Sequence, residues 1–166
     1  LRRGFDLRLK PLWWAAILLT PFLLAGLAVW ANDLIDGAPA NFSMPAQPLW
    51  LLGIFLFNFV VGGSVQEEFG WRGYALPRLL ERRSPFAATL ILGTAWGLWH
   101  LPLFFIAGIG QAYMPIVPFL LLAVGFSFPF TWFYLKTGRS LFSALLFHAA
   151  INTSLNAFPV IDARLG

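Results

Sequence analysis

The chain has 166 residues, 59% of them hydrophobic and only 11% charged, with a mean hydropathy of +0.75, whereas a soluble domain carries about 25% charged residues. This excludes an ordinary water-soluble fold and points to one membrane domain over residues 1–166. There is no cysteine, so disulfides, thiolate metal sites and cysteine nucleophiles are excluded. The net charge of +4 does not imply a nucleic-acid partner, because the basic residues flank apolar runs, where they orient helices in a bilayer.

In chain order, five apolar stretches stand out: Leu12 to Ala31, Pro48 to Val65, Pro85 to Ala107, Pro115 to Leu135 and Leu141 to Val160. Each has nearly the ~20 residues that cross a bilayer as a helix. They are apolar on both parities, unlike the alternating strands of a barrel. The expected fold is therefore all-α and polytopic, with about five transmembrane helices. A short interfacial helix is expected from Trp71 to Ser84, where Leu76, Leu79 and Leu80 oppose Arg72, Arg78, Arg82 and Arg83.

The connections agree on one orientation. Arg2, Arg3, Arg8 and Lys10 precede the first stretch, the four arginines of the interfacial segment follow the second, and Lys136 and Arg139 follow the fourth. The opposite side holds Asp33 and Asp36 and, in the tail, Arg164. The positive-inside rule then puts the N-terminus in the cytoplasm. Trp13, Trp14, Trp30 and Trp50 suit interfacial belts, and Pro102, Pro118 and Pro129 are expected to kink their helices. Leu1 is not an initiator methionine, so further helices upstream are compatible with the sequence.

Ionisable residues at membrane depth are rare and usually functional. Glu67 and Glu68 end the second stretch, just after Gly62, Gly63 and Ser64. On a helix, Glu68 and Arg72 are four apart and in the favourable order for an ion pair. Glu67 points elsewhere, and a carboxylate in a poorly hydrated site is a stronger base. Chemistry is therefore assigned to Glu67 and a clamp with Arg72 to Glu68, the bland alternative being that both glutamates mark a helix end.

In the third stretch His100 follows Trp96 by one turn, so the indole should cover the imidazole; a core histidine bonded to a neighbouring helix is the alternative. In the fifth, His148 and Asn152 share a helix face and can direct hydrogen bonds to one point, as in a side-chain oxyanion hole, or they can be interhelical glue. Depth is the difficulty. At 1.5 Å per residue, His100 is about 22 Å along from Pro85 and His148 about 10 Å along from Leu141, so the third helix is expected to start outside the bilayer.

These three segments together resemble the CPBP family of intramembrane proteases, also called Abi or CAAX-protease-like, which includes the Ras-converting CAAX endopeptidase. Its Glu-Glu-x-x-x-Arg pattern reads Glu67 to Arg72 here, its aromatic-x-x-x-His pattern Trp96 to His100, and its His-x-x-x-Asn pattern His148 to Asn152. Trp96 stands where the family usually has Phe. The resemblance defines an expected catalytic core over Leu49 to Asn156.

It implies an intramembrane endopeptidase in which Glu67 and His100 activate water, His148 and Asn152 stabilise the oxyanion, and Glu68, Arg72 and Trp96 support them. A zinc-dependent version would use Glu67, His100 and His148 as ligands and leave an open position. The cofactor-free form is preferred, since no His-Glu-x-x-His helix is present and Asn152 suits an oxyanion donor. Expected partners are membrane lipid and a peptide or protein substrate that can be lipidated, in a bacterial plasma membrane. A non-catalytic scaffold or immunity protein is the competing reading.

Overall fold

A computed structural model describes residues 9–36 and 48–158, and among these every regular element is helical. The expected basic lead of Arg2, Arg3 and Arg8, most of the Asn32 to Gln47 connection, and the end of the fifth stretch with Arg164 lie outside the described residues.

Helix α1 (Pro11–Asp36) and helix α2 (Pro48–Val60) come first. Next, α3 (Ser64–Gly70), a π-helical turn (Trp71–Ala75) and α4 (Leu76–Leu80) run on without a break. The π turn has a local cause. Pro77 lacks an N–H and would crowd the carbonyl four residues back, and the widened turn, with the Leu76 N–H bonded to the Trp71 carbonyl, absorbs both defects. Ser84 then caps α5 (Pro85–Trp99), accepting a 3.3 Å bond from the Ala87 N–H. Two 3₁₀ turns, Leu101–Phe105 and Gly110–Tyr113, lead to α6 (Ile116–Lys136). A turn with positive φ at Gly138 and Arg139 leads to α7 (Leu141–Ala157).

Among the described residues, four segments are long and apolar enough to cross a membrane: Pro11–Ile35, Leu49–Leu80, Pro85–Phe105 and Ile116–Lys136. The chain is an integral membrane protein with an all-α polytopic fold. Helix α7 is the axis of the bundle. It packs against α1, α2, α3 and α6, and most of its residues are buried.

Helix α5 lies along α6 through the sequence Gly93-Thr94-Ala95-Trp96-Gly97. A Cβ on Gly93 would sit 2.8 Å from the Ser127 hydroxyl, and one on Gly97 would sit 3.0 Å from Leu120. The two glycines thus let the helices approach closely, as small residues spaced by four do in membranes. Leu76, Ala88, Leu92 and Tyr134 form one apolar cluster, while Trp13 meets Trp132 and Phe133 edge-on. The end of α4, the start of α1 and the end of α6 therefore share one end of the bundle, with Lys10, Arg78, Arg82, Arg83, Lys136 and Arg139.

Three local readings change. The second apolar stretch stops as a helix at Val60, because the Gly62-Gly63 pair turns the chain, with Gly63 at φ 104°; Gln66 caps the freed Val60 carbonyl at 2.8 Å. Arg72 is not a headgroup residue of an interfacial helix but is fully buried. Pro102 does not kink α5; the α helix has already ended at Trp99, and Pro102 lies in the 3₁₀ turn that follows.

Candidate active site

The site is assembled where α3 and α5 meet α7. The Glu68 oxygen Oε1 accepts from Arg72 Nη1 at 2.7 Å and from His148 Nδ1 at 2.8 Å, and all three side chains are buried. The expected clamp with Arg72 is present, and Glu68 also holds His148. An ionised carboxylate only accepts, so His148 donates through Nδ1 and its Nε2 is left to face the site. The Arg72 guanidinium lies 3.7 Å from the Phe130 ring centroid and 5.2 Å from that of Trp96. These π faces receive a cation that, among the described residues, has one side-chain hydrogen-bond partner, Glu68.

Glu67, as expected, takes no part in that clamp. Its Oε2 accepts a 2.7 Å bond from the Trp96 indole Nε1. Its Oε1 lies 2.7 Å from the point where a Cβ on Gly63 would be, and His148 Nε2 lies 3.6 Å from the same point. A carboxylate oxygen and an imidazole nitrogen therefore both lie close to Gly63, where a side chain would crowd the carboxylate.

Trp96 also bears on the expected difficulty of depth. Its ring lies 5.4 Å from that of His100 and 5.7 Å from that of His148, edge-on in both cases. Helices α5 and α7 are staggered, so that both histidines flank one indole despite their different distances from their helix starts. His100 follows the last residue of α5, and its Nδ1 donates to the Trp96 carbonyl at 2.7 Å, which leaves Nε2 as its free nitrogen. Trp99 and Phe119 pack around the same ring.

Asn152 does not reach across from His148 alone. One of its amide hydrogens is donated to the Gly62 carbonyl at 2.8 Å, tying α7 to the glycine turn, and the amide has a second hydrogen to give. One turn away, Asn58 donates to Thr153 Oγ1 at 3.2 Å, so α2 and α7 are pinned on both sides of the turn.

The structure adds two residues that the motifs do not name. Gly63 is legible as one of the small residues that precede the glutamates and favour close helix approach, and as half of a Gly-Gly turn signal, but not as a neighbour of His148. Phe130, which stacks on Arg72, packs on Phe147 and lies 5.9 Å from His148, carries no local signal among 18 phenylalanines.

A zinc site would need Glu67, His100 and His148 to converge. Among the described residues no three His, Cys, Asp or Glu side chains are grouped so that they could hold a metal ion, and the residues as placed do not fit a three-ligand zinc site.

Comparison with known proteins converges on the same segments. Residues 48–154 match the family described as Type II CAAX prenyl endopeptidase Rce1-like, a range that holds all three motifs. A CAAX prenyl protease 2 of Methanococcus maripaludis is 37% identical over 92 residues, which is 52% of this chain and 34% of that protein. The matched segment thus spans about a third of that relative's length. With well over half of its length matched, the chain belongs to the Rce1-like type II CAAX prenyl endopeptidase family.

Proposed function

We propose that this chain carries the catalytic site of a membrane endopeptidase that hydrolyses a peptide bond with water activated by a glutamate. The observation that carries this reading is the pairing of Glu67 Oε1 and His148 Nε2 around the point beside Gly63. A water held between these two atoms can give its proton to Glu67 as its oxygen attacks the scissile carbonyl carbon. The oxyanion that forms is met by the second amide hydrogen of Asn152 and by His148 Nε2 in its protonated state, groups already held by Gly62 and Glu68. Collapse breaks the C–N bond, and Glu67 returns its proton to the leaving amine. His100, whose ring also packs on Trp96 and whose Nε2 is free of the Trp96 carbonyl, assists in positioning the water.

The relative's name, CAAX prenyl protease 2, suggests a substrate with a prenylated cysteine near its C-terminus. The proposed orientation places the basic end of the bundle in the cytoplasm.

The test is cleavage of a prenylated CAAX peptide by purified protein carrying Glu67→Gln or His100→Ala. Loss of turnover with retained folding is expected for both. Undiminished turnover in both variants would refute the catalytic reading and favour a scaffold held together by its polar cluster.

A further inference from the structure

We propose that Trp96 is a positioning residue for Glu67, its indole N–H pinning carboxylate oxygen Oε2 so that Oε1 is turned to the point beside Gly63 that His148 Nε2 also faces. The inference rests on the reading of Glu67 given above and adds a role for a residue whose ring alone would be enough to cover His100.

The argument is about which partner is fixed. Trp96 is 7% exposed, and its ring is enclosed by His100, Phe130, His148 and the Arg72 guanidinium, with centroid separations of 5.4, 5.8, 5.7 and 5.2 Å. Its backbone is held against α6 by the close approach at Gly93 and Gly97 on either side. The indole has nowhere to move. Glu67 is a long side chain in the first turn of α3 with three rotatable bonds, and among the described residues its 2.7 Å bond from Nε1 is what fixes its carboxylate.

A carboxylate bound through one oxygen keeps the other free and aimed, which a base needs if it is to meet water in a productive geometry. Packing does not demand this bond. A phenylalanine at position 96 would keep an aromatic face toward both histidines and Arg72 but would lose the N–H together with the volume of the second ring, so the Trp96 resonance in Glu67→Ala, where the indole is intact, is the readout specific to the bond.

The experiment compares wild type, Trp96→Phe and Glu67→Ala as purified full chain in detergent, with kcat and KM measured on a prenylated CAAX peptide. Each protein is also labelled with ¹⁵N at the indole nitrogens, and the Trp96 resonance is assigned among the eight tryptophans by its loss in Trp96→Phe. The expected result is a fall in kcat of about 10- to 100-fold in Trp96→Phe with KM changed by less than about two-fold. In Glu67→Ala the Trp96 indole proton should move upfield, since its acceptor is gone.

An indole resonance indifferent to Glu67→Ala would overturn the inference, even if Trp96→Phe also lowers thermal stability. A wild-type kcat in Trp96→Phe beside an inactive Glu67→Ala would also overturn it, while leaving the proposed function intact. Full activity in Glu67→Ala would instead sink the proposed function itself, whatever the resonance does.

Discussion

Replacing Gly63 with alanine should close the space between Glu67 and His148. Two separate costs follow from the structure. The backbone at φ 104° is one that L side chains rarely adopt, and holding a non-glycine residue in such a region costs on the order of 1–3 kcal/mol. The new Cβ would also stand 2.7 Å from Glu67 Oε1, where ordinary contact begins at 3.4 Å. The carboxylate must then retreat by roughly 0.7 Å, and displacements approaching 1 Å can cost about 100-fold in rate. Oε2 is bonded to Trp96, so the retreat strains that bond as well.

The expected outcome is a fall in kcat of about 10- to 100-fold together with a lower melting temperature in detergent. Gly70→Ala is the control. A Cβ there meets nothing within 4 Å, the backbone is already helical, and activity should stay within about two-fold of wild type, with stability equal or slightly raised. A Gly63→Ala protein that cleaves peptide at the wild-type rate would refute the assignment of this space to the reacting water.

Three further expectations come from the same geometry. Glu68→Ala leaves Arg72 and His148 buried without their shared acceptor, and breaking a buried ion pair from one side costs about 3–5 kcal/mol; thermal unfolding should show a large loss, and an unchanged melting temperature would contradict the network. Asn152→Ala removes one interhelical hydrogen bond, worth about 0.6 kcal/mol in membranes, whereas loss of an oxyanion donor costs about 100- to 1,000-fold in kcat; kinetics set beside melting therefore separate the two roles, and a kcat near wild type would assign Asn152 to glue. Because the described residues offer no three-ligand group, turnover should survive prolonged treatment with a chelator, and activity lost to chelator and restored by zinc would overturn the glutamate mechanism.

Much of the site was legible because it is local. Glu68 and Arg72 pair four residues apart, as helical geometry requires of them once α3 exists, and Glu67 is necessarily excluded from that pair. The same holds for the apolar stretches that became the helices. The expected end of the second stretch at Val65 missed the turn because hydropathy passes smoothly over Gly62 and Gly63. The Gly-Gly dipeptide was the available signal, and it speaks of backbone conformation rather than of polarity.

The sequence by itself determined an all-α membrane protein, the order of its helices and the residue types able to do chemistry. Tertiary structure alone decided their pairing. Glu68 binds His148 across 80 residues, Trp96 binds Glu67 across 29, and Asn152 reaches Gly62 across 90. The physical reason is that helices apolar on every side carry no pattern that says which face turns inward or how far one slides along another. Rotation and stagger come from close packing, such as that of Gly93 and Gly97 on α6. That packing brings the indole of Trp96 against both His100 and His148 and carries Arg72 from an expected lipid headgroup to a buried place over Phe130.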